Sequence, residues 1–192
     1  MSTRLKFLFQ RTYSSPEELL HKKFTIAEDL FSSWKDHFLK QEDFLNLLKE
    51  YEQAVLNSNS IMEKIKSFEE CYICSVIDKK GCCKAGLENE VTINILLINM
   101  FLNKEIPLER EVSGRCFFVG PKGCKIFARP YLCREFFCKR LKEKFREEEY
   151  IKLTQAIAEE LTLLYRLCEY IKREYQFLLG EFLFEMDITG YS

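Results

Sequence analysis

Apolar residues recur along much of this chain at alternating steps of four and three, the spacing that lines one face of a helix. The first such run is Leu20, Phe24, Ala27, Phe31, Trp34 and Phe38. It follows Ser14-Ser15-Pro16-Glu17-Glu18, a helix start with a serine cap, a proline in the first turn and acids that complement the dipole. A second run, Phe44, Leu48, Tyr51 and Val55, is expected to stop at Asn57-Ser58-Asn59-Ser60, where a third begins through Ile61, Ile65 and Phe68. Residues 87–102 return to the pattern with Leu87, Val91, Ile95, Ile98, Phe101 and Leu102, and should stop near Asn103, ahead of Pro107. From Leu141 a long helix is predicted as far as Gly180, a C-cap glycine. Its seam is Ile157, Leu161, Leu164, Cys168, Ile171, Tyr175, Leu178 and Phe182. Such a seam suits another long helix, either within the chain or across a homodimer. The tail GEFLFEMDITGYS carries apolar residues able to dock back.

The fold class implied is mainly α: a helical bundle with a small cysteine-rich metal-binding module that contains a β-hairpin. Residues 1–192 read as one domain, with N-terminal helices over 1–70, a cysteine-cluster module over 71–138, and a long C-terminal helix and tail over 139–192. That length can bury a core, and 17 Phe and 9 Tyr supply bulky side chains for it. Lys+Arg 29 against Asp+Glu 30 leaves a formal charge of -1, so net charge gives no nucleic-acid signal. No stretch approaches the ~20 apolar residues of a membrane span. The start, MSTRLKFLFQRTYSS, has its apolar run split by Lys6 and reads as no signal peptide. A cytoplasmic location is expected, where thiols stay reduced.

That expectation matters because Cys71, Cys74, Cys82, Cys83, Cys116, Cys124, Cys133 and Cys138 crowd into one segment, leaving only Cys168 outside. In a reducing compartment such a cluster points to metal or redox chemistry. Cys71-Tyr-Ile-Cys74 can chelate one metal from a turn, or share a helix face. Cys82 and Cys83 are adjacent and project differently, which makes joint service to one mononuclear metal awkward; different sites, different irons or a free thiol remain open. The stretch from Cys116 to Phe127 reads as a β-hairpin, with Pro121 second in a type I turn and Gly123 in the left-handed position of a bulge. That register sets Cys116 and Cys124 on one face but far apart for a single ion unless the ribbon bends. They then serve different metals or flank a cluster. Pro130 precedes or opens a helix, on which Cys133 and Cys138 would lie about 140° apart if it were regular. They converge only if Cys133 sits in the loop or first turn. Arg129 and Arg134 are candidates to compensate charge around a metal–thiolate centre. His21 and His37 read as structural, Trp34 as core, and Cys168 as a small buried residue.

The ending Cys124-Lys-Ile-Phe-Ala-Arg129-Pro130-Tyr-Leu-Cys133-Arg134, with Cys116-Phe-Phe before it, resembles the YkgJ-like cysteine-cluster family, a zinc- or iron-chelating domain with eight cysteines. The resemblance covers about residues 71–138. It departs from the family's CxxCxxCC opening, since Cys74 and Cys82 are far apart here. It implies that the eight thiols are metal ligands. The family extends to flagellin lysine N-methylases, which implies S-adenosylmethionine-dependent methyl transfer to protein lysine as an alternative. Against that stand the absence of a Gly-rich loop after a strand and of an alternating βα pattern. The primary reading is a protein holding an iron–sulfur cluster or Zn2+ through cysteine thiolates, with a structural, redox or metal-handling role. Iron–sulfur is favoured over zinc because the second group of cysteines is embedded in Phe, Leu and Ile. A third reading is a metal-fastened helical interaction scaffold. No catalytic constellation is recognised.

Overall fold

In the computed structural model, which describes residues 15–120 and 123–179, helices dominate and the only strands form a two-stranded ribbon. Helix α1 (Pro16–Phe38) starts as its sequence predicts: the Ser15 hydroxyl accepts the Glu18 N–H at 3.1 Å and Pro16 occupies the first turn. Leu20, Ala27 and Phe38 of its apolar stripe are buried, while Phe24, Phe31 and Trp34 pack on the edge of the same core.

Helix α2 (Glu42–Lys64) does not stop at Asn57-Ser58-Asn59-Ser60, as the polar run suggested. Ser58 and Asn59 find tertiary partners instead of turning the backbone. The Ser58 hydroxyl donates to the Val55 carbonyl and to Glu160, and Asn59 accepts from Arg129. After a left-handed Lys66, α3 (Ser67–Tyr72) carries Cys71 and passes into a π-helical turn over Ile73–Ile77 that carries Cys74.

The predicted helix over 87–102 is also cut differently. A 3₁₀ turn (Leu87–Glu90) is separated from α4 (Ile93–Phe101) by extended residues at Val91 and Thr92. The buried Lys23 ammonium donates to the carbonyls of Asn89 at 2.7 Å and Val91 at 3.2 Å. Helical propagation would need those acceptors, and Thr92 restarts the helix by capping Ile95. The end near Asn103 is as expected, with Asn103 left-handed.

Strands β1 (Val119–Gly120) and β2 (Gly123–Cys124) pair antiparallel, Val119 opposite Cys124 and Gly120 opposite Gly123. Gly123 has the left-handed φ of 90° expected of it, and a side chain there would strike Phe68. Pro121, assigned to the turn, lies outside the described residues. Two short helices follow, α5 (Tyr131–Glu135) and α6 (Lys139–Lys142), and then α7 (Glu147–Leu179). The long helix therefore begins at Glu147 rather than Leu141, since α6 ends in a turn before it. Gly180, Phe182 and the tail, like residues 1–14, fall outside the described residues.

Helices α2 and α7 form the most extensive helix pair. The seam read from sequence thus closes within the chain, where Leu164, Ile171 and Tyr175 are buried. At one end of this pair Phe38, Phe44, Phe101 and Tyr175 pack in tilted and edge-to-face contacts, with neighbouring ring centroids 4.9–5.2 Å apart. Such pairs contribute about 0.5–1.5 kcal/mol each beyond the area they bury. At the other end a smaller cluster joins Met62, Phe137, Leu141, Leu153 and Ile157. Cys71 and Cys138 pack against this smaller cluster. No helix among the described residues is long and apolar enough to cross a membrane.

Candidate metal centre

Six of the eight clustered cysteines, Cys71, Cys82, Cys83, Cys116, Cys124 and Cys133, line a single cavity of about 320 Å³. The rest of its wall is chiefly apolar, with Phe68, Leu87, Val119 and Leu132 prominent, and it includes no carboxylate or histidine. Cys74 lies on the π-helical turn beside Cys71, and Cys138 precedes α6.

Local hydrogen bonds explain how distant cysteines arrive here. The Cys74 carbonyl accepts the N–H groups of Lys80 and Gly81, both at 2.9 Å, so the chain doubles back and sets Cys82 near the Cys71–Cys74 turn. Gly81 is required for this return, since a Cβ there would come within 2.6 Å of the Ser75 Cα. On the far side the Cys116 N–H donates to the Cys83 carbonyl at 3.0 Å, beside a bridge between Lys84 and Arg115. A turn at Cys116–Val119, closed by a 3.1 Å bond, bends the ribbon. The separation expected between Cys116 and Cys124 along a straight hairpin is thereby shortened, and both thiols reach one cavity. Cys133 lies in the first turn of α5, where its N–H donates to the Pro130 carbonyl at 3.0 Å. Helix α5 ends at Glu135, so Cys133 and Cys138 are not on one regular helix.

A polar web that the sequence reading overlooked supports these segments. Asn99, buried in α4, donates to the Ile95 and Ala128 carbonyls and accepts the N–H groups of Phe127 and Ala128. It anchors the segment that leads to Arg129 and Cys133. An asparagine inside the apolar run INILLINMF was the available signal. Buried Glu88 pairs with Arg110 at 2.5 Å and accepts the Gly86 N–H, while Arg110 also donates to the Arg115 carbonyl. Arg115 in turn donates to the Gly81 carbonyl at 3.3 Å.

The two candidate charge-compensating arginines differ. Arg134 is fully engaged with Glu160, Nε to Oε1 at 2.7 Å and Nη2 to Oε2 at 2.5 Å, and also donates to the Ser58 hydroxyl at 2.7 Å. Its charge is balanced by protein, and its side chain pins α5 to α2 and α7. Arg129 is buried with neutral partners: the Ile126 carbonyl, the Asn59 side chain, the Cys124 carbonyl and the face of Phe68. Among the described residues no carboxylate forms an ion pair with it. Burial pulls its pKa down, while the neighbouring Cys124 and Glu160 work in the opposite sense.

Burial also dominates the thiols. It pushes Cys71 up to about 12, with the Cys82, Cys138 and Cys74 thiols adding to the effect. It raises Cys133 to about 12, helped by Cys124 and Cys116 and opposed by Arg129. Cys116 rises to about 12 by burial, eased by a backbone hydrogen bond at Phe118. Cys82 goes the other way, drawn down to about 6 by a hydrogen bond from the Cys83 thiol, which is itself raised.

As a donor set these residues suit a soft or borderline metal: eight sulfurs, no carboxylate or histidine among the described residues of the cavity wall, and a buried cation beside them. Among the described residues, however, no three Cys, His, Asp or Glu side chains are gathered closely enough to hold a metal ion as they stand. The other candidates sit elsewhere. His21 packs edge-on to Phe117, and His37 contacts Glu174 and Gln41. Cys168 lines a separate cavity with Pro130, Leu132 and Tyr165. Comparison of the chain with protein-family models, curated proteins and solved structures gives no match.

Proposed function

We propose that this chain is a metal-binding cysteine-cluster protein, whose segment 71–138 holds an iron–sulfur cluster or zinc through Cys71, Cys74, Cys82, Cys83, Cys116, Cys124, Cys133 and Cys138. The observation that carries this reading is the shared cavity. Six thiols from four separate stretches of chain face one apolar space of about 320 Å³ without a carboxylate in its wall. Packing alone gives no reason to gather thiols from such distant positions. The buried Arg129, hydrogen-bonded to no carboxylate, fits a centre whose ligands carry net negative charge. The similarity of Cys124–Arg134 to the YkgJ-like family points the same way. Iron–sulfur is preferred over zinc because the wall is apolar and the space exceeds what one ion requires. Bound metal would supply either cross-linking of the module or one-electron exchange. The chain's own part is to supply thiolates, exclude water and balance charge, and loss of the thiol protons makes uptake favour higher pH.

Purification under anaerobic conditions, followed by metal and sulfide analysis and a visible spectrum, tests this. A brown protein with stoichiometric iron and sulfide supports the cluster, and a colourless protein carrying zinc supports the alternative. A protein free of both, still unable to take up either on reconstitution, rules the reading out. Cys133→Ser should lower metal content, whereas Cys168→Ala should leave it unchanged.

A further inference from the structure

Although six cysteines share one cavity, the elements that carry the eight draw them into two sets. Cys71 and Cys138 pack on the smaller core cluster around Met62 and Phe137, whereas Cys83, Cys116 and Cys124 pack on the larger one. Ion pairs reinforce the first set. Arg140 of α6 bonds Asp78 at 2.6 Å and Glu70 at 3.2 Å, and Lys144 bonds Glu70. These contacts strap α6, with Cys138 at its start, onto the α3–π-turn segment that holds Cys71 and Cys74. The bonds from Lys80 and Gly81 to the Cys74 carbonyl bring Cys82 to the same place. The second set is joined by main chain. Cys116 bonds Cys83, the Cys116–Val119 turn leads into β1, and β1 pairs with Cys124. Cys133, in the first turn of α5, shares the cavity wall with Cys116 and Cys124, and the neighbouring Arg129 ties that turn to the Cys124 carbonyl.

Resting on the metal-binding reading above, we propose that the module holds two separate four-thiol sites, Cys71/Cys74/Cys82/Cys138 and Cys83/Cys116/Cys124/Cys133, which adjoin at the Cys82–Cys83 dipeptide. Four thiolates complete the coordination of a tetrahedral ion and equally the irons of one cluster, so neither site needs a ligand from the other. The adjacent pair then has a purpose: each residue serves one side of a shared wall. The long spacing between Cys74 and Cys82 is the length needed for the chain to leave the first site and return to its far edge.

The test uses the full chain, stripped of metal under reducing anaerobic conditions and titrated with Co2+ while thiolate-to-cobalt absorption is followed. Wild type should saturate at two equivalents with tetrahedral four-thiolate spectra. Cys138→Ser and Cys124→Ser should each leave one such site. Combining Cys138→Ser with Cys71→Ser, within one set, should still leave one site; combining Cys138→Ser with Cys124→Ser should leave none. Doubles within and across the sets that behave alike would overturn the division, as would saturation of the wild type at one equivalent. A footprint on unmutated protein guards against variants that fail to fold. At one equivalent of Cd2+, alkylation should spare all four cysteines of one set, and protection scattered across both sets would also overturn it. Uptake of metal with the wrong partition removes only this inference. A wild-type chain that binds neither Co2+, Cd2+ nor iron with sulfide removes the metal-binding reading with it.

Discussion

Arg129 and Arg134 stand five positions apart and are both buried, yet their surroundings meet the cost of a buried guanidinium in opposite ways. Around Arg134 the protein is electrostatically complete: Glu160 takes both ends of the fork, Ser58 adds an acceptor, and three helices are tied together. Around Arg129 the hydrogen-bond partners are carbonyls and an amide, with an aromatic face and cysteines beside them, and Glu160 acts on it only through space. A buried charge matched by an opposite charge belongs to the architecture. A buried charge hydrogen-bonded to no carboxylate, beside a cavity of thiols, leaves room for an anion that the centre itself would provide.

The comparison can be broken most decisively at Arg134. Arg134→Met should destabilise the chain by about 3–5 kcal/mol in denaturant unfolding, because it strands Glu160 in the core. Adding Glu160→Leu should recover much of that loss; a single replacement costing less than about 1 kcal/mol would show that the network is not structural. Asn99→Leu comes next, at about 2–3 kcal/mol, since the Phe127 and Ala128 N–H groups lose their acceptor. The same change should weaken metal retention by releasing the segment before Cys133, and hydrogen exchange at Phe127 and Ala128 should rise. Arg129→Met sharpens the contrast. Without metal it should cost less stability than Arg134→Met, while competition with a chelator should report about 10–100-fold weaker metal binding. Equal effects of the two arginine changes on stability and metal alike would erase the distinction.

The smallest expected effect lies at the far end of the helix pair. Burial pushes the Glu174 carboxyl up, but hydrogen bonds from His37 and Gln41 outweigh it and hold the pKa below its ordinary 4.5. A carboxyl depressed by folding contributes stability above its unfolded pKa and loses it as pH falls through the folded one. Unfolding midpoints should therefore drop below about pH 4.5 more steeply in wild type than in Glu174→Gln. The difference should be small, because the group is near the surface.

Much of the helical scaffold was legible because amphipathic periodicity records which face each helix buries. The Ser15 cap, the stripe from Leu20 to Phe38 and the seam of α7 are local patterns with local causes. The misreadings share one cause, which is that the partners of polar side chains lie far away in sequence. Asn57–Ser60 looked like a helix end and is helix, because Arg129, Arg134 and Glu160 take up the polar groups of Ser58 and Asn59. Residues 87–102 looked like one helix and are two, because Lys23 claims the intervening carbonyls. Arg134 does line the thiol cavity, but that its charge is already met by Glu160 could not be read from sequence.

The same line divides the candidate site. Sequence by itself determined the chemistry, since thiol identity, number and crowding follow from composition and short spacings. It also determined the helices, whose hydrogen bonds and buried faces are set within a few turns. Only the tertiary structure decided which thiols face one another. That depends on two aperiodic turns, the return at Gly81 and the bend at Cys116–Val119, and on contacts between residues far apart in the chain, such as Cys116 to Cys83 and Arg140 to Glu70 and Asp78. Periodicity carries no trace of such contacts, because their free energy arises only when separate elements have already docked.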